Sequence, residues 1–270
     1  MNINWYPGHM AKTRRLLEGD ISGVDAVIEL FDARAPRSSR NPDLGELCGD
    51  KPRLPVLGRA DLADPAVTAL WQKELPGCAA VNAASPGASK VILPALSKLL
   101  GERMRKDAEK GQAGRAPRVM VIGVPNVGKS TLINTLLRRK AAKAEDRPGV
   151  TRSRQWFPME HGFLLMDTPG MLWPKFEDPE TGMNLAFTGA IRDEIMDTET
   201  LAGCLAERLE ELYPGVLEAR YGVAGGLEAL AKKRGFLLPG GVLDIGRIAL
   251  TLLDEFRAGK LGRISLERPL

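Results

Sequence analysis

The octapeptide Gly123-Val124-Pro125-Asn126-Val127-Gly128-Lys129-Ser130 constrains this 270-residue chain more than any other stretch. The apolar run Val119-Met120-Val121-Ile122 ahead of it reads as a buried strand, and residues 131–137 behind it read as a helix. Glycines at both ends let the backbone curl so that successive N–H groups point inward at phosphate oxygens, and the helix N-terminus adds favourable partial charge. The spacing predicts an α/β fold in which Pro125, Asn126, Val127, Gly128, Lys129, Ser130 and Thr131 bind a nucleoside triphosphate. Lys129 then reaches the β- and γ-phosphates, and the Ser130 hydroxyl ligates Mg²⁺.

Two further segments fit that loop. Asp167-Thr168-Pro169-Gly170 follows the apolar Phe163-Leu164-Leu165-Met166. An acid at a strand end beside a phosphate loop holds Mg²⁺ through water, and a glycine there offers its backbone N–H to a γ-phosphate, which gives Asp167 and Gly170 their expected roles. Between the two lies Arg147-Pro148-Gly149-Val150-Thr151-Arg152, and Thr151 is the candidate switch residue and second protein ligand for Mg²⁺.

A guanine-reading Asn-Lys-x-Asp segment is absent from residues 171–270. The nearest match lies upstream, at Gly58-Arg59-Ala60-Asp61 after the strand-like Leu54-Pro55-Val56-Leu57. Ala79-Ala80-Val81-Asn82-Ala83 reads as a strand ending in a small-residue loop. The expected base contacts are therefore Asp61, Arg59, Asn82 and Ala83, with base recognition first in the chain, the phosphate loop next and the switches last.

With that rotated order, Trp5-Tyr6-Pro7-Gly8-His9-Met10-Ala11-Lys12, Asp32-Ala33-Arg34-Ala35-Pro36, Thr188-Gly189-Ala190-Ile191 and Gly259-Lys260-Leu261-Gly262-Arg263 resemble the YlqF/RbgA type of circularly permuted GTPase, the ribosome biogenesis GTPase A family. The resemblance runs over essentially the whole chain. It implies a GTPase that helps mature the large ribosomal subunit by binding its RNA, uses GTP/GDP and Mg²⁺, and is stimulated on the particle. The chain is expected to be monomeric off the ribosome, with no membrane or DNA partner, and the lack of a bilayer-length apolar run and of a signal pattern implies the cytoplasm.

The chain departs from the pattern in two places. Gly58 and Arg59 stand where the family has asparagine and lysine, leaving Asp61 to read the guanine and Arg59 to stack where a lysine stem would lie. Met171 follows Gly170 where many small GTPases carry a water-orienting glutamine, and a thioether cannot direct a water. His9, placed near the nucleotide by the resemblance, is the candidate replacement. Asn126 without a catalytic glutamine resembles the potassium-stimulated GTPases, which makes Asn126 a candidate K⁺ ligand. An alternative function is a nucleotide-binding assembly scaffold with relaxed base specificity and little or no hydrolysis.

The length suits a permuted GTPase domain over residues 1–174, with a mainly parallel sheet and helices on both faces, and a small all-α domain over residues 175–270 for RNA and ribosome contact. Residues 101–117, rich in charge and glycine, read as a surface connector. Helices are expected near residues 89–100, 186–196, 200–212 and 244–257. No apolar run is long enough to span a bilayer, and the N-terminus lacks a cleavable signal pattern. Three scattered cysteines suggest neither a disulfide framework nor a metal site. Residues 1–175 hold 27 Lys+Arg against 18 Asp+Glu, and residues 176–270 hold 11 against 16, so the basic surplus sits on the nucleotide half. Arg34/Arg37/Arg40, residues 138–143 and Arg147/Arg152/Arg154 are candidate RNA-phosphate contacts.

Overall fold

A computed structural model describes residues 8–109, 115–138, 156–193 and 196–269. The elements run α1 (Gly8–Ile21), β1 (Ala26–Asp32), α2 (Pro42–Cys48), β2 (Arg53–Gly58), α3 (Pro65–Glu74), β3 (Ala79–Ala80), α4 (Gly87–Glu109), β4 (Arg118–Ile122), α5 (Lys129–Leu136), β5 (Trp156–Pro158) and β6 (Leu164–Met166). The helices α6 (Pro179–Phe187), α7 (Thr198–Leu212), α8 (Val216–Tyr221), α9 (Leu227–Arg234) and α10 (Ile245–Arg257) follow. The strands form one sheet in the order β3-β2-β1-β4-β6-β5, parallel except for the β5–β6 pair.

Strand β1 is buried along its whole length, as a central parallel strand covered on both faces must be. Its side chains alternate between faces. Ala26, Ile28 and Leu30 join the core that includes α4 and α5. Val27 packs with Met10 and Leu17 of α1 and Leu44 of α2, while Phe31 packs with Val67 and Trp71 of α3. That alternation makes the α/β layers follow directly from a period-two strand.

Helix starts follow the capping rules. The side chains of Asn41, Asp64, Asp178, Asp197 and Asp244 each accept from a backbone N–H in the first turn of α2, α3, α6, α7 and α10. Each cap contributes about 1 kcal/mol. The first core cluster continues through Leu172, Trp173 and Phe176 into Leu185, Leu205 and Leu252, so the helical tail and the sheet share one apolar interior.

Two expected segments differ from the structure. Helix α4 runs through Gly101 to Glu109, so the surface connector cannot begin at residue 101. A glycine inside a helix costs only about 1 kcal/mol, and the buried Leu96 and Leu100 hold that turn to the core. The helix expected over residues 186–196 instead ends at Phe187, because Gly189 takes a left-handed φ of 79°. Helices over 200–212 and 244–257 are present as α7 and α10.

Candidate functional site

The carboxyl ends of β1, β2, β3 and β4 meet at one edge of the sheet, where open parallel sheets bind their ligands. Residues 123–130 leave β4 there and enter α5. Gly123 lies so close to the neighbouring strand that an added Cβ would stand 2.5 Å from the Leu30 carbonyl oxygen. Asn126 and Gly128 take left-handed φ values of 55° and 101°. Lys129 is only 7% exposed, and its Nζ donates to the carbonyls of Val124 at 2.9 Å and Gly123 at 3.4 Å. Ser130 and Thr131, in the first turn of α5, are exposed.

Asp167 follows β6 on the same edge. Desolvation raises its carboxyl above the ordinary aspartate range, against the pull of the Lys129 ammonium and the Thr168 backbone N–H. The Thr168 hydroxyl donates to the Val121 carbonyl and ties this turn to β4. Gly170 touches the phosphate loop: a Cβ there would lie 2.7 Å from Pro125 Cα and 2.8 Å from Lys129 Nζ. Met171 is turned inward. Its N–H donates to Gly123 O at 3.2 Å, its carbonyl accepts from Asn41 Nδ2 at 2.8 Å, and its side chain packs in the cluster that holds Met10 and Met166. His9 lies in the first turn of α1, beside the buried Met10, and its side chain is outside the description. Thr151 falls outside the described residues altogether.

The base-recognition candidates gather a short way along the edge. The Ala60 N–H donates to Val81 O at 3.2 Å, joining the Gly58–Asp61 turn to the loop after β3. Asp61 is exposed. Asn82 Oδ1 accepts from the Ala84 N–H at 2.9 Å, and the Ala83 carbonyl accepts from Thr135 Oγ1 of α5 at 2.7 Å. Arg59, with a φ of 55°, turns its guanidinium back to donate to Asn126 O at 2.6 Å. The Asn126 side-chain amide donates to Gly189 O at 2.9 Å, in the turn after α6.

The candidate RNA contacts change most. Arg34 is 1% exposed and makes a two-pronged pair with Asp32 (Nε to Oδ1 2.9 Å, Nη2 to Oδ2 2.8 Å), while Nη1 donates to the carbonyls of Phe256 and Arg257 at the end of α10. It is a core residue and has no surface to offer a phosphate. Arg37 stacks over Trp71 and donates to Arg268 O, and Arg40 remains exposed. Arg138 pairs with Glu160 at 2.5 Å, and residues 139–143, Arg147, Arg152 and Arg154 lie outside the description. His161 is exposed at the rim of a cleft of about 490 Å³ bounded by Leu93, Pro94, Asn134 and Arg138, away from the phosphate loop.

The segment after α10 was not expected at the site. Arg263 donates to the carbonyls of Ala60 and Ala63, the Ile264 N–H to Leu62 O at 3.0 Å, and the Leu266 N–H to Arg34 O at 2.7 Å. The tail therefore straps the candidate base-recognition turn and the loop after β1. Its buried Leu261, Ile264 and Leu266 follow neither helical nor strand spacing, so periodicity could not place it.

The arrangement is matched among known proteins. Residues 118–202 fit the family model of the 50S ribosome-binding GTPase. The chain is 43% identical to the ribosome biogenesis GTPase A of Bacillus cereus over 100% of its own length and 95% of that protein, and 34% identical to the mouse mitochondrial ribosome-associated GTPase 1 over 98% and 90%. Among solved structures, GNP-bound YlqF from T. maritima aligns with a TM-score of 0.67 and 29% identity, covering 96% of this chain and 98% of that one. The fold is that of a circularly permuted P-loop GTPase. The chain belongs to the ribosome biogenesis GTPase A family.

Proposed function

We propose that this GTPase is an assembly factor for the large ribosomal subunit, with low intrinsic hydrolysis stimulated by the subunit precursor and its rRNA. One observation carries the reading: Gly170, Lys129 and the Asp61 turn converge on one sheet edge, in a chain related over its full length to ribosome biogenesis GTPases. On this reading the protein works in the cytoplasm and is monomeric away from the ribosome.

The residues present fit a triphosphate with its cation. Lys129 Nζ exchanges its two loop carbonyls for β- and γ-phosphate oxygens, and the Gly170 N–H, held against Pro125, donates to the γ-phosphate. The exposed Ser130 hydroxyl, with Thr151 from the switch segment, would ligate Mg²⁺, and the Asp167 carboxylate would hold it through water. When bound, Mg²⁺ neutralises charge on the β- and γ-phosphates. Pro125, Val127, Gly128 and Thr131 complete the cradle, and Asn82 and Ala83 close the base site opposite Asp61. Asn126 is the candidate K⁺ ligand through its Oδ1, while Nδ2 donates to the Gly189 carbonyl. Because Met171 points into the core, the water-orienting group comes from elsewhere, and His9 takes that role.

The test is GTP turnover by the full chain with Mg²⁺ and K⁺, alone and with saturating large-subunit precursor. Steep stimulation is expected. Turnover unchanged by the subunit overturns the reading, and nucleotide binding with no turnover in any mixture replaces it with the scaffold.

A further inference from the structure

The pair Gly58-Arg59 leaves this chain without the asparagine and lysine its relatives are expected to use. Gly58 has no side chain with which to brace the turn. There is little room for one, since a Cβ would stand 3.0 Å from Leu30 Cδ1 and 3.6 Å from Val127 O. The bracing falls to Arg59. One arm of its guanidinium, Nη2, donates to Asn126 O at the crest of the phosphate loop at 2.6 Å, and the other, Nη1, lies 3.7 Å from Asp32 Oδ2.

Asp32 is the last residue of β1, only 2% exposed, and takes part in no expected nucleotide contact. Burial opposes its ionisation, but the Arg34 and Arg59 guanidiniums outweigh this and hold it below the ordinary aspartate range. It is thus a fixed anion shared by two arginines. A planar guanidinium can serve a carbonyl with one arm and a carboxylate with the other, whereas an ammonium is a single point charge. Asp32, Arg59 and Asn126 therefore form one brace across the ends of β1, β2 and β4, and Asp61 sits two residues beyond its middle member.

We infer that Asp32 is a specificity-determining positioning residue that acts through Arg59 to hold Asp61 at a fixed distance from the phosphate loop. The inference rests on the reading of Asp61 as the guanine ligand. In this chain the brace replaces the missing Asn-Lys pair, so guanine choice depends on a buried carboxylate that touches no nucleotide.

The experiment is equilibrium binding of GDP, ADP and pyrophosphate, each with Mg²⁺, to the full chain and its variants. A wild-type chain that binds GDP and ADP alike defeats the Asp61 reading itself. Given guanine preference, Arg59→Gln leaves the Asp32–Arg34 pair intact and is expected to lower the GDP-over-ADP ratio at least fivefold, with pyrophosphate affinity changed less than threefold. A smaller fall in the ratio, or an equal weakening of all three ligands, overturns the inference. Arg59→Lys tests Asp32, because a lysine has no second arm to keep at the carboxylate when its ammonium takes the Asn126 carbonyl. It should lose at least threefold in the ratio. An Arg59→Lys ratio equal to wild type shows that Asp32 is dispensable. Asp32→Asn, if folded by thermal melt, should match Arg59→Gln and add nothing to it in the double variant. Additive losses also count against the brace.

Discussion

Gly170 Cα faces Pro125 Cα so closely that a Cβ on Gly170 would lie 2.7 Å from it, inside any normal carbon–carbon contact. The second obstruction, Lys129 Nζ at 2.8 Å, is a flexible chain end, but Pro125 is backbone. Gly170→Ala must push the turn away from the phosphate loop and withdraw an N–H donor from the developing charge. We expect GTP turnover to fall about 10²-fold, the usual loss for one such donor, with GDP binding nearly unchanged. A single-turnover rate within twofold of wild type would contradict the placement.

Arg34 forms a core ion pair with Asp32 of β1 and donates to the carbonyls at the end of α10. Arg34→Ala leaves Asp32 as a buried carboxylate with only Arg59 beside it, and breaking such a pair costs about 3–5 kcal/mol. Urea denaturation should show that loss. A change below about 1 kcal/mol, the range of an exposed pair, would restore Arg34 to the surface role first expected of it.

Glu267 is buried, and desolvation raises its carboxyl above the ordinary glutamate range even though Ser38, Asn184 and the Arg37 and Ser38 N–H groups favour the charged form. The folded state therefore holds this proton to higher pH than the unfolded chain does. Its contribution to stability is fullest below the ordinary glutamate range and declines as pH rises through the folded value. Glu267→Gln does not titrate, so the melting temperature of the variant minus that of wild type should rise with pH across this window. A difference that is flat or falls with pH would show the carboxyl is not raised.

The Asn126 amide donates from Nδ2 to the Gly189 carbonyl, and its Oδ1 is the proposed ligand of the monovalent cation. We expect wild-type hydrolysis to run about tenfold faster in KCl than in NaCl, a cation's share of transition-state charge stabilisation. Asn126→Ala should be equally slow in both salts. Variant turnover that still responds to potassium would remove Asn126 from the cation site.

His9→Ala addresses the group left open by Met171. Loss of a positioned acid–base group costs about 10²–10⁴-fold in turnover. That loss is expected with GDP affinity within threefold of wild type. Equal damage to binding and turnover would make His9 a packing residue of the α1 start.

The phosphate-loop turn and its contact with Gly170 were legible because each is written in contiguous residues, and Gly123 and Gly170 sit at close contacts that leave no room for a Cβ. The helix over Ile245–Arg257 was legible from its apolar stripe, with Ile248, Leu252 and Phe256 all buried. Arg34 was misread because charge spacing along a chain does not reveal depth, and its partners at Phe256 and Arg257 lie more than 220 positions away. The helix break at Gly189 was missed for a related reason. Arg257 presses against that glycine, 3.3 Å from where a Cβ would be, and donates to the carbonyls of Ala186 and Phe187, so a distant residue helps end the helix.

The strap of residues 259–267 has a bearing on inheritance. Gly259 meets Leu62, next to the candidate base-recognition turn, at 2.6 Å from a would-be Cβ, and Arg263 closes on the flanking carbonyls of Ala60 and Ala63. Halves joined this way cannot be shuffled freely between relatives. A chimera that takes its helical end from one family member and its nucleotide half from another inherits a mismatched seam at Leu62 unless both sides come from the same parent, so the two halves are expected to have drifted as a unit.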